Sequence, residues 1–205
     1  MMRQAMINQF GKEAVEKAER DAKAGKAPSA SGPQITSAPP TPKGYGKFKP
    51  EKSVNVAKSM GETLGSTPEE KAMISTLIKA TKDAFEAQPE TKAWRNNVAG
   101  ALAFFMITTV VVANDAPEPG DAATEAIFQA FNQSLDDLPD FAKATNKEKQ
   151  QLYDTLIGFT GLPLAIYTDA KERGDAEQLA QSKELAANLL QLVLKVDASK
   201  IQLPK

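Results

Sequence analysis

Asn96-Asn97-Val98-Ala99-Gly100-Ala101-Leu102-Ala103-Phe104-Phe105-Met106-Ile107-Thr108-Thr109-Val110-Val111-Val112-Ala113-Asn114 runs for nineteen residues without a charged side chain. What covers this stretch decides the fold. As a helix it would extend about 28 Å, close to the ~30 Å hydrocarbon core of a bilayer. Lys92 and Arg95 precede it and Asp115 and Glu118 follow, the charge order of a single span with its N-terminus inside. Yet Asn96, Asn97, Thr108, Thr109 and Asn114 interrupt it, and no Trp or Tyr marks its far boundary. The central helix of a bundle is also apolar all round, because neighbours cover every side. Ala99, Gly100, Ala101 and Ala103 would let those neighbours approach closely. The sequence therefore predicts an all-α fold, a compact bundle of about five helices around a central apolar helix at 96–113. A membrane anchor at 98–112 is the alternative.

Working outward, helix signals surround this centre. A short helix is expected from Val54 to Leu64, ended by Gly65. Thr67, Pro68 and Glu70 then give an N-cap, a first-turn proline and a capping box for a helix to about Ala87. Beyond the break at Pro117, Pro119 and Gly120, Asp121 opens a helix with Ile127, Phe128, Phe131 and Leu135 facing inward, stopping near Pro139. Thr145 with Glu148 forms a second capping box for a helix reaching about Arg173, which Pro163, near Gly158 and Gly161, is expected to kink or split. After the Gly174-Asp175 turn a last helix spans about 176–196, leaving Ile201 and Leu203 as a C-terminal strap. Trp94 and Tyr153 read as packing residues with a polar tip.

Upstream of this body, two segments differ in composition. Residues 1–24 contain an amphipathic helical pattern, with Met6, Phe10, Ala14 and Ala18 at four-residue spacing and a narrow apolar stripe that needs a partner surface. Charges interrupt every turn, so this is not read as a secretory signal. Residues 25–52 hold Pro28, Pro33, Pro39, Pro40, Pro42 and Pro50 among Gly, Ser, Ala and Thr, which marks an extended linker or docking arm. Its end, Lys43-Gly44-Tyr45-Gly46-Lys47-Phe48-Lys49, alternates cations with aromatics, and Lys43, Tyr45, Lys47, Phe48 and Lys49 are the candidate partner-binding residues. Such a pattern suits an SH3-type ligand, an anionic surface or single-stranded nucleic acid; as plain composition it also suits a solvated linker. Residues 53–205 form the bundle domain.

Charge divides along the same line. The 205 residues carry 25 Lys+Arg and 26 Asp+Glu, yet residues 1–52 hold ten basic and five acidic groups against fifteen and twenty-one in the remainder. No Lys or Arg occurs between Arg95 and Lys143. A basic arm before an acidic body points to pairing between neighbours.

The chain has no Cys and no His, which removes disulfide frameworks, thiol nucleophiles, zinc fingers, Ser-His-Asp triads and histidine switches. The oxygen-rich loop Asn114, Asp115, Glu118, Asp121 and Glu125 has a composition that Ca²⁺ prefers but not the EF-hand register. Asp136 with Asp140, and Glu172 with Asp175, are carboxylate pairs at helix-surface spacing with nothing to tune them. Gly44-Tyr45-Gly46 lacks the ending of a phosphate loop. No catalytic, metal or cofactor-binding residue is assigned, no cofactor is expected, and nucleic acid is not an expected partner.

Three segments carry a resemblance: Trp94-Arg95-Asn96-Asn97-Val98-Ala99-Gly100-Ala101-Leu102-Ala103, Lys147-Glu148-Lys149-Gln150-Gln151-Leu152, and the tail Leu194 to Leu203. Residues 54–205 resemble a domain of unknown function from bacterial proteins that usually carry a secretion signal. In that family a paired-Asn motif opens an apolar helix, a Lys-x-x-Gln patch opens the next long one, and an apolar strap ends the domain. The resemblance implies an all-helical domain and export, with no activity attached. The expectation is a non-catalytic interaction or structural subunit whose basic arm docks on a partner protein or neighbouring subunit. A single-pass membrane subunit and a carrier of small apolar ligands are the alternatives.

Overall fold

The computed structural model describes residues 43–203. The helical pattern at 1–24 and most of the linker lie outside them. Seven α-helices follow in order: α1 Val56–Leu64, α2 Pro68–Ala87, α3 Val98–Asn114, α4 Asp121–Asp136, α5 Pro139–Lys143, α6 Asn146–Arg173 and α7 Ala176–Val193, with 3₁₀ turns at Pro89–Thr91 and Ala198–Lys200. The fold is all-α, and no strand longer than an isolated bridge occurs among the described residues.

Both capping boxes form as the sequence predicts. Thr67 accepts from Glu70 N while Glu70 reaches back to Thr67 N; Thr145 and Glu148 do the same. Each pair satisfies donors that a helix start otherwise leaves open.

α3 is the centre of the bundle. It packs against α4, α6 and α7, and Val98, Phe105 and Val112 are completely buried. Its apolar surface has no single face because it has neighbours around it. Among the described residues no helix is long and apolar enough to cross a membrane. The helix begins at Val98 rather than Asn96, because Asn96 takes a left-handed conformation (φ 53°) and Asn97 is the N-cap. At the other end Asp115 (φ 50°) closes the last turn.

Three further features differ from expectation. Pro163 is buried inside α6, which continues unbroken for 28 residues. The proline removes one backbone bond and strains one turn, at about 3 kcal/mol in an isolated helix. Contacts with α1, α2, α3 and α7 along α6 hold the helix regardless. At Gly161 a Cβ would collide with Thr81 Oγ1 and lie 2.9 Å from Thr81 Cβ, so glycine sets how closely α6 crosses α2. After α4, Leu138 starts the five-residue helix α5, whose Phe141 plugs the core. The last helix stops at Val193, and Lys195 turns left-handed (φ 60°). The strap then returns Ile201 and Leu203 to the core, with Ala198 O accepting from Asn114 Nδ2 at 2.9 Å.

Candidate functional site

The candidate partner-binding residues form part of a clip, residues 43–51, that lies on the body itself. Gly44 (φ 77°) opens a tight turn closed by Lys47 N donating to Gly44 O at 3.0 Å. The turn drives Gly46 against α3 and α4. A Cβ there would collide with Asn97 Oδ1 and approach Leu135 Cδ1 to 3.0 Å, so this contact requires glycine.

Three helices hold the clip, largely through its backbone. At the end of α4, Asp136 Oδ2 accepts from Lys43 N (2.5 Å) and Gly44 N (3.2 Å), and Oδ1 accepts from Tyr45 N (2.8 Å). Lys43 Nζ donates to Asp136 O at 3.1 Å. At the start of α3, Phe48 N donates to Asn96 O at 3.0 Å and Val98 N donates to Gly46 O at 2.9 Å. At the start of α6, Asn146 Oδ1 accepts from Lys49 N at 3.0 Å and Gln150 Oε1 from Glu51 N at 2.6 Å.

Phe48 is the apolar anchor. It is 8% exposed and meets Tyr153 edge-on at 5.2 Å between ring centres. Tyr153 also contacts Phe85, and Trp94 stacks on Phe128 at 5.3 Å. Both residues read as packing groups are thus in the core. Burial and the Glu86 carboxylate beside it push the Tyr153 phenol far above its usual range.

The five candidate residues therefore divide. Phe48 is buried in the body and Tyr45 is half-buried, whereas Lys43, Lys47 and Lys49 are exposed. Within the linker expected at 25–52, residues 43–51 already pack on the body, because the turn glycines and Phe48 find complementary surface there. Two of the three resembling segments meet at this place too. Asn97 caps α3 and donates to Asn132 Oδ1 at 3.0 Å, Asn96 takes the Phe48 amide, and Gln150 takes Glu51. Asp136 and Asn146 carry no sequence signal for this role, since their partners lie more than ninety residues away.

The other candidate groups have structural occupations. Asp115 Oδ1 accepts from Lys171 Nζ at 2.8 Å and from the Tyr167 hydroxyl, and Oδ2 takes Lys183 Nζ at 3.0 Å. These donors hold its carboxyl well below the usual range. The latch fastens the end of α3 to α6 and α7. Asp175 caps α7 by accepting from Gln178 N, and Asp140 pairs with Lys143. Lys82 Nζ lies 2.6 Å from Asp154 Oδ1, and burial nonetheless raises the Asp154 pKa. No group of three or more acidic residues is placed to hold a metal ion among the described residues.

The whole chain, residues 1–205, matches the family of unknown function DUF6683, and the protein belongs to that family. The match includes the arm as well as the body. No curated protein and no solved structure matches the chain.

Proposed function

We propose that this protein is a non-catalytic interaction subunit: its helical body fixes the root of residues 1–42, and that N-terminal segment docks on a partner protein or a neighbouring subunit. The observation that carries this reading is the clip. Seven hydrogen bonds from the backbone of residues 43–51 or to it fasten the chain to α3, α4 and α6, so residues 1–42 are joined to the body at one defined place. Lys43, Lys47, Lys49 and Lys52 stay exposed around that place, because backbone amides rather than ammonium groups make most of the attachment. A cationic collar beside a segment with an amphipathic pattern suits recognition of another chain. An exported location accords with the resemblance to usually secreted proteins and with the lack of Cys, and fractionation against periplasmic and cytoplasmic markers tests it.

Light scattering tests the docking. Full-length protein is expected to associate with itself at low salt and less at high salt. Residues 43–205, which retain the clip and the core, are expected to stay helical by circular dichroism and remain monomeric. Equal association by the two forms sinks the reading.

A further inference from the structure

We infer that the pocket enclosed by the clip, the start of α3 and α4 binds a small carboxylate whose neighbouring carbon carries an N–H, the grouping of an N-acylated amino acid. The site is independent of where residues 1–42 dock. Its volume is about 200 Å³, below the roughly 300–1,000 Å³ of sites for drug-sized molecules, so the ligand it takes is small.

Two buried amides in its wall have orientations fixed from the helix start. Asn97, 1% exposed, caps α3 by accepting from Ala99 N through Oδ1 at 3.1 Å. That bond leaves Asn97 Nδ2 as the donor to Asn132, at 3.0 Å. Asn132 must therefore turn Oδ1 toward Asn97, which leaves its own Nδ2 over. Asn132 is 7% exposed, lines the pocket, and finds no acceptor for Nδ2 among the described residues. A buried amide donor left unpaired is costly. A carboxylate oxygen meets it with a charge-assisted bond, the strongest kind available to it.

The rest of the wall fits the same ligand. Lys47 lines the pocket and is exposed, so it adds a cation at the rim. Gln129 Nε2 donates to Glu125 Oε1 at 2.6 Å, which leaves Gln129 Oε1 as the acceptor for the ligand's N–H. Phe128, held from behind by Trp94, and the Ala93 methyl supply a small apolar side. The acids nearby are occupied: Asp136, one turn from Asn132 along α4, takes three clip amides, and Glu125 takes Gln129. An entering carboxylate thus meets donors, and the N–H beside it meets an acceptor.

The test is titration of full-length ¹⁵N-labelled protein with N-acetylglycine at pH 7, read at the Asn132 side-chain amide by NMR. A saturable shift is expected, with half-saturation at roughly 1–10 mM for so small a ligand. N-acetylglycine methyl ester, which keeps the N–H but loses the charge, is expected to leave that amide unmoved, and acetate, which lacks the N–H, to bind more weakly. Asn132→Asp keeps the acceptor for Asn97 but removes the free donor, and should weaken binding about tenfold or more. Lys47→Glu changes only an exposed side chain and should weaken it about threefold, with unchanged circular dichroism; it carries the test if Asn132→Asp fails to fold. A pocket that holds water alone gives no saturable shift and overturns the inference. An equal response to the methyl ester overturns it too, as does binding that survives both substitutions.

Discussion

Replacing Asp136 by alanine is expected to release the first turn of the clip while the body stays folded. Three amide donors, Lys43 N, Gly44 N and Tyr45 N, converge on this carboxylate at 2.5, 3.2 and 2.8 Å. A hydrogen bond to a charged group contributes about 1.5–3 kcal/mol when buried. The site is only partly buried, so water can reclaim the amides once the acceptor is gone, and about 1 kcal/mol per bond is the better figure. The sum of about 3 kcal/mol corresponds to a rise of roughly a hundredfold in local opening. Hydrogen exchange reads this residue by residue. The amides of residues 43–45 should exchange about a hundred times faster in Asp136→Ala. The Phe48 amide, bonded to Asn96 O beneath a buried ring, should change less than about tenfold. Asp136→Asn keeps one acceptor oxygen but turns an NH₂ toward the remaining amides, so its effect should fall between. Exchange at residues 43–45 within about threefold of the parent would refute the reasoning, as would loss of protection across the whole body.

Phe48→Ala removes the clip's apolar anchor and its edge-on contact with Tyr153; a loss of about 3–4 kcal/mol in urea unfolding is expected, and a loss below 1 kcal/mol would mean that the ring is not seated in the core. Gly161→Ala gains about 1 kcal/mol in helix propensity but drives a Cβ into Thr81, a clash of about 1–3 kcal/mol, so calorimetry should show a lowered Tm; a raised Tm would show that α6 can shift off α2. Lys149 is 8% exposed, with its ammonium 5.5 Å above the Phe141 ring, and burial lowers its pKa. Lys149→Met should therefore leave the unfolding midpoint equal or higher at pH 7. A depressed lysine pKa means that the unfolded chain holds more protons between the folded value and 10.5. Parent stability should thus gain a component as pH rises through that window, and the variant should lack it; identical pH profiles would remove Lys149 as its source.

What the sequence revealed follows from the range of each interaction. The boxes at Thr67 with Glu70 and Thr145 with Glu148 lie within three residues, so donor and acceptor are both visible in one window. The left-handed Asp115 and the break at Pro117 end α3 for equally local reasons. Pro163 misleads for the same cause in reverse: the cost is local and readable, whereas the contacts that outweigh it come from four other helices. The clip was legible only as composition. Lys43 and Lys49 suggest charge recognition, yet the attachment is made by amides, which every residue but proline carries, to side chains more than ninety positions away. Asp136, read alone, is one more acid on a helix surface.

The clip also changes what the apolar stretch requires. A helix start leaves its first amides without partners, and α3 begins inside the body, where water cannot serve them. Asn97 supplies one acceptor, to Ala99 N at 3.1 Å. Gly46 O supplies another, to Val98 N at 2.9 Å, and Val98 is completely buried. The carbonyl that completes the cap of the central helix thus comes from the same short turn that anchors residues 1–42. An arm attached elsewhere on the surface could move without consequence for the core. Here, displacing Gly46 strands a buried amide at a cost of about 1–3 kcal/mol and uncovers the ring contact of Phe48 with Tyr153. Tension or docking on the arm is therefore coupled to the first turn of α3, and the stability of that turn sets how firmly the arm is held.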